Sequence, residues 1–244
     1  MEICQTYKKK EPSVIIMVHS KTVKAILFDL DGTLVRLPRI WEFFDELLID
    51  TLNEFHIPLP QKDIRLAIWH SGGDFEHTLK GWGVSDYDEF IHRFDQLDLA
   101  RRARMIESGE IHLFDDVDAL GNLHKEFKLG LVTNTPPDIA LLELDAFGIK
   151  EHFDELVMLG TVEQHIAKPL PDGFLRCLNN LDVAPEQAVM VGDSSSDIIG
   201  GNRVGMITVL IQRPDQPALK NLELPPDLII ADLYELNSFS SASK

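Results

Sequence analysis

Asp29 and Asp31, two carboxylates two residues apart, stand at the end of an apolar run, Val23-Lys24-Ala25-Ile26-Leu27-Phe28, and are followed at once by Gly32-Thr33-Leu34. The run has the length and residue types of a strand. Residues i and i+2 of a strand point to one side, so both carboxylates project together from its tip, and Gly32 lets the backbone turn sharply. Such a pair suits a divalent cation, or a nucleophile with an acid/base beside it. It would serve equally as a solvated Asp-Gly turn, so its chemistry depends on partners further along the chain.

Three later segments offer partners: Thr133-Asn134 after the apolar run 128–132, Lys168-Pro169 before a helix at 173–181, and Gly192-Asp193-Ser194-Ser195-Ser196-Asp197 after Ala188-Val189-Met190-Val191. Each sits at a strand end or in the loop beyond one. In an open parallel sheet, ligands bind outside the carboxyl ends of the strands.

The elements that must position these groups follow from periodicity. Ile40, Phe43, Phe44, Leu47, Leu48 and Leu52 mark a helix over 40–55 that ends at His56-Ile57-Pro58. A short helix about Ile64–Ile68 follows, then a third at Phe75–Leu79 closed by Gly81-Trp82-Gly83, then a long charged helix over Tyr87–Ile106 containing Arg101-Arg102-Ala103-Arg104. No strand is expected in this stretch. Beyond it, helices over 115–127, 137–147, 173–181 and up to Val204 alternate with strands at 128–132, 155–159, 188–191, 206–211 and 228–230. Alternation of this kind predicts an α/β fold, a doubly wound parallel sheet of Rossmann-like type with an inserted all-helical unit. The expected division is an N-terminal extension at 1–20, a core made of 21–35 and 111–244, and a helical insert at 36–110.

Composition narrows the partners. The chain has 244 residues, 44% of them hydrophobic, and a formal net charge of −17. That is globular in class, and it leaves no surplus of Lys and Arg for nonspecific nucleic-acid binding. Cys4 and Cys177 have no CxxC partner, so neither a zinc site nor a disulfide framework is indicated and a reducing, cytoplasmic setting is expected. No apolar run approaches the ~20 residues of a membrane span. Lys8-Lys9-Lys10 before Val14-Ile15-Ile16-Met17-Val18 is too short for a signal peptide and reads as a disordered extension, with Met17 an alternative start.

Taken in order, Asp29-Leu30-Asp31-Gly32-Thr33, Thr133-Asn134, Lys168-Pro169 and Gly192 to Asp197 resemble the four motifs of the haloacid dehalogenase superfamily of phosphohydrolases. The helical insert directly after the first motif resembles the cap of its phosphoglycolate phosphatase-like branch. The resemblance covers roughly Val23 to Asp232, and four motifs in order are specific where any one is weak. It implies that Asp29 is the nucleophile, forming an aspartyl-phosphate, and that Asp31 acts as general acid and then base. The family's dehalogenating members lack this second acid. It further implies magnesium held by Asp29, the backbone carbonyl of Asp31 and Asp193, with Asp197 behind these ligands or capping the next helix. Substrate contacts fall to Gly32, Thr133, Asn134 and Lys168, the lysine offsetting charge on nucleophile and phosphate.

Two departures stand out. Where the family often has an acid after the first motif, this chain has Arg36-Leu37-Pro38-Arg39, and the cap carries no mutase-like signature. Trp69, His70, Lys80 and Trp82 are candidates to face the substrate, with core packing or solvated surface as the plainer account of each. The function expected is a magnesium-dependent phosphatase acting on a small organic phosphate monoester of phosphoglycolate or sugar phosphate type. A phosphomutase sharing the aspartyl-phosphate is the nearest alternative. A phospho-acceptor switch is a third, against which the insert argues, because a cap closing over the aspartate excludes water and selects substrates. No nucleic-acid or membrane partner is expected, and the sequence carries no signal for oligomeric state.

Overall fold

A computed structural model of the chain describes residues 23–70, 75–160, 163–213, 219 and 224–242. The N-terminal extension expected at 1–20 lies outside the described residues. The strands are β1 (Ala25–Phe28), β2 (Val35–Arg36), β3 (His112–Leu113), β4 (Lys128–Thr133), β5 (Glu155–Met158), β6 (Ala188–Gly192), β7 (Ile207–Ile211) and β8 (Leu228–Ile230). Six of them form a parallel sheet in the order β5-β4-β1-β6-β7-β8. The first strand in the chain therefore lies inside the sheet, hydrogen-bonded to β4 on one side and β6 on the other.

The helices are α1 (Ile40–Glu54), α2 (Lys62–Ala67), α3 (Phe75–Trp82), α4 (Tyr87–Glu107), α5 (Leu120–Leu123), α6 (Pro137–Ala146), α7 (Asp172–Leu181) and α8 (Ser195–Val204). Every residue of β1 is buried, because alternate side chains enter different cores. Ala25 and Leu27 join Phe174, Cys177 and Leu178 of α7 on one face. Ile26 and Phe28 face the other way, among Leu129, Leu131, Ala140 and Leu144. α7 packs on β4 and β5, and α8 on β6 and β7.

Helices α1 to α4 fill the stretch between β1 and the rest of the sheet, as their periodicity predicts. α4 begins on a cap, the Asp86 carboxylate accepting from the Glu89 amide at 3.0 Å. The chain enters and leaves this stretch through a two-stranded antiparallel ribbon, Val35 opposite Leu113 and Arg36 opposite His112. The sequence reading anticipates no strand here, and two-residue strands are too short to generate a periodic signal. The helix expected over 115–127 is also broken. It comprises a 3-10 turn at Val117–Ala119 and the single turn of α5. Asp116, placed to cap it, instead accepts from the Arg213 guanidinium and the Leu233 amide, each at 2.6 Å. Among the described residues, no helix is long and apolar enough to cross a membrane.

Candidate active site

Parallel register gathers the first group of residues. Phe28 lies opposite both Leu131 and Val191, so the residues just after β1, β4 and β6 reach the same level at the carboxyl edge of the sheet. The Asp29 amide continues this pairing by donating to the Val191 carbonyl at 3.0 Å. Gly32 then turns the chain at φ 79°, and its amide donates to the Val35 carbonyl at 2.8 Å. That amide is thus committed to the turn.

Lys168 joins these strand ends from the loop before α7. Its Nζ lies 2.7 Å from Asp29 Oδ1 and donates to Asp197 Oδ1 at 2.6 Å, with the lysine side chain almost wholly buried. Asn134 holds the lysine's own backbone on both sides: its Nδ2 donates to the Lys168 carbonyl at 3.1 Å, and its Oδ1 accepts from the Lys168 amide at 2.9 Å. The other Asp197 oxygen accepts from the Ser194 amide at 3.1 Å and the Ser194 hydroxyl at 2.5 Å, which closes the first turn of α8. Gly192 makes room for this buried carboxylate, since a Cβ there would meet Asp197 Cγ at 2.3 Å.

The electrostatics reflect three carboxylates crowded around one ammonium. Burial, reinforced by the charge of Asp197 and opposed by Lys168, lifts Asp29 to about 7. Burial and the charges of Asp29 and Asp197 push Asp193 well above the usual carboxylate range. Burial pulls Lys168 down, but Asp197 and Asp29 more than offset it, so the lysine keeps its proton. Asp29, Asp193 and Asp197 each offer an oxygen within 4.8 Å of the others. An all-oxygen, anionic set whose members resist sharing negative charge fits a hard divalent cation such as magnesium. Both oxygens of Asp197 are engaged by Lys168 and Ser194, so Asp29 and Asp193 are the side chains that could hold such an ion.

Asp31 occupies a second cluster, which sequence reasoning missed. Arg102 of α4 donates from Nη1 to Asp31 Oδ1 at 2.7 Å and to Glu143 Oε1 of α6 at 2.7 Å, and from Nε to Asp98 Oδ1 at 2.9 Å. Its side chain is 1% exposed. Thr135 donates to Asp31 Oδ2 at 3.0 Å and in turn accepts from the Thr133 hydroxyl at 3.0 Å. Burial, together with the charge on Asp31, raises Glu143 to about 8 against the pull of Arg102. The Asp98/Arg102 spacing of four, on a helix face that also carries Phe90, Ile91 and Phe94, is the available sequence signal for this contact.

Both clusters open into one cavity of about 800 Å³ that reaches from Asp29, Asp31, Thr133 and Lys168 to the helices α1, α3 and α4. Trp69 lines it, whereas Lys80 is exposed and paired with Glu76 at 2.5 Å, and Trp82 is packed against the core. The side chain of His70 lies outside the described residues.

Comparison with known proteins adds four findings. Residues 23–205 match the family model for haloacid dehalogenase-like hydrolase. A pyrophosphatase PpaX from Halalkalibacterium halodurans is 29% identical over 217 residues, covering 88% of this chain and 95% of the relative. A putative pyrophosphatase PpaX from Clostridium perfringens is 30% identical over 226 residues, covering 88% of this chain and all of that one. Among solved structures, a HAD phosphatase from Thermococcus onnurineus is similar with a TM-score of 0.59 and 26% identity, over 90% of this chain and 99% of that one.

Proposed function

The chain belongs to the haloacid dehalogenase-like hydrolase family, and from that premise we propose that it hydrolyses a small-molecule phosphate monoester through an aspartyl-phosphate on Asp29, with magnesium bound. The observation that carries this reading is the contact of Lys168 Nζ with Asp29 Oδ1 at 2.7 Å, in a site that also holds Asp193 and opens to the cavity. Residues 36–110 act as the cap, and 21–35 with 111–244 as the core beneath it.

Asp29 attacks phosphorus through a carboxylate oxygen, and the bond from phosphorus to the ester oxygen breaks, that oxygen keeping the electron pair. Asp31 supplies the proton that neutralises it. Water then attacks the aspartyl-phosphate, Asp31 takes the water's proton, and Asp29 is released with inorganic phosphate. Magnesium held by Asp29 and Asp193 would lower the repulsion between anionic nucleophile and anionic phosphate. Lys168 contributes fixed positive charge at the same place.

The donors on Asp31 distinguish its two oxygens. Arg102 can only donate, so Oδ1 stays an acceptor, whereas the Thr135 hydroxyl can turn and accept. Oδ2 is therefore the oxygen through which Asp31 would exchange a proton with the leaving oxygen and then with water. Purified protein with 4-nitrophenyl phosphate and magnesium is expected to release phosphate, and Asp29→Asn to reduce this to background. Equal release by the two proteins, or none by either over a broad panel of phosphate esters, would remove the reading.

A further inference from the structure

The cavity is much larger than a phosphoryl group needs. About 800 Å³ is within the range of sites that enclose a drug-sized ligand, where walls are mainly apolar and aromatic with a few placed polar groups. One part of its wall is built from aromatic side chains. The Trp69 ring lies 5.1 Å from Phe44, 5.1 Å from Phe75 and 6.0 Å from Phe94 between centroids, with tilted planes in all three pairs. All four residues line the cavity. The buried Trp69 Nε1 has no acceptor among the described residues, and a buried indole N–H ordinarily finds one.

Charge points the same way. Of the described lining residues between Ile40 and Asp98, none is basic, while Glu42, Asp95 and Asp98 are acidic. Arg102, the nearest cation on that side, is shared among Asp31, Asp98 and Glu143. Arg36 of β2 and Arg39, just before α1, line the cavity and are exposed. A leaving group bearing a carboxylate or a second phosphate would thus meet apolar walls whose described lining from Ile40 to Asp98 carries acidic charge alone, and desolvating an anion there is strongly unfavourable.

We propose that the leaving group is an extended apolar, ring-bearing alcohol with a hydrogen-bond acceptor, seated among Phe44, Trp69, Phe75 and Phe94, rather than a small anion of the phosphoglycolate type. The inference rests on the phosphatase reading above and narrows its substrate class. The rings stack on the leaving group's faces, and Trp69 Nε1 donates to its acceptor. The phosphoryl end stays with Asp29, Thr133 and Lys168.

The test compares four phosphates with magnesium present: 2-(6-methoxy-2-naphthyl)ethyl phosphate, whose methoxy oxygen is the acceptor, ethyl phosphate, phosphoglycolate and pyrophosphate. The first two share a primary alkyl leaving oxygen, so their demand on Asp31 is matched. The naphthylethyl ester is expected to exceed ethyl phosphate in kcat/KM by at least ~30-fold, mostly through KM, the order that burial of a two-ring group supplies. It should also exceed both anionic compounds. Trp69→Ala should reduce that ratio to about fivefold or less, and Trp69→Phe should keep most of it. Should Trp69→Ala fail to fold, inhibition of the wild-type protein by 2-(6-methoxy-2-naphthyl)ethylphosphonate against ethylphosphonate reads the same preference. A ratio near one, or preference for phosphoglycolate or pyrophosphate, overturns this inference while the phosphatase reading stands. Absence of phosphate release from all four, with Asp29→Asn indistinguishable from wild type, overturns both.

Discussion

At Asn134 one side-chain amide grips the backbone of Lys168 through both its donor and its acceptor, while the lysine ammonium bridges Asp29 and Asp197. Position, more than charge, is what the asparagine supplies, since the buried ammonium is already held by two carboxylates. Removing two such bonds loses ~0.5–1.5 kcal/mol each. Asn134→Ala is therefore expected to lower kcat for an aryl phosphate about tenfold with a modest loss of thermal stability, whereas Asn134→Asp should be worse because its carboxylate cannot donate to the Lys168 carbonyl. Steady-state kinetics beside a melting curve checks both. The sequence reading assigns Asn134 to the phosphoryl end of the substrate; its side chain is instead engaged with the lysine. Type and place were legible in Thr133-Asn134, but the partner of an amide is decided by a loop 34 residues away, which no local pattern encodes.

Among the elements, α4 does the most to join the helical stretch to the sheet. Its Arg102 reaches Asp31 beyond β1 and Glu143 on α6, so a single guanidinium ties together three parts of the chain. Losing one member of a buried ionic cluster strands the others and costs ~3–5 kcal/mol. Arg102→Met should thus lower the melting temperature by ~6–20 °C, at the ~2–4 °C per kcal/mol usual for a chain of this size. Glu143→Gln should shift it far less, because Gln keeps an oxygen for Arg102, because Glu143 is raised to about 8 and so is largely neutral near pH 7, and because its second oxygen has no partner among the described residues. Thermal unfolding of the two variants separates these outcomes. Period and length made the strands and long helices readable: β4, β6, α1 and α4 fall within a residue or two of expectation. The ribbon of β2 and β3 and the broken helix near Asp116 were not readable, since both depend on contacts with distant residues, Leu113 for Val35 and Arg213 for Asp116.

For the molecule as a whole, buried acids set the response to pH. Asp29 is raised to about 7 and Glu143 to about 8, both above ordinary carboxylates, so the folded state binds protons more avidly than the unfolded chain. Their contribution to stability is full below about pH 4 and is lost as pH rises towards 7 and 8, by ~1.4 kcal/mol per pH unit for each extra proton held. Metal-free protein should accordingly melt at a lower temperature at pH 8 than at pH 6. Magnesium should recover more at pH 8, because the ion competes with protons for Asp29 and Asp193. Calorimetry with chelator and with magnesium at both pH values decides this, and an unchanged melting temperature at both would exclude the ion from these residues. The order of assembly adds a different demand. Arg213 donates to the Thr33 carbonyl at 2.6 Å across 180 residues of chain, and β1 pairs with nothing until Lys128 and Ala188 have been added. On a ribosome adding ~5–20 residues per second, that contact waits roughly 10–40 s. Until Lys128 to Thr133 are added, both edges of the strand that leads to Asp29 lie open to any passing nascent chain, and the edge that pairs with β6 stays open until Ala188 to Gly192 follow.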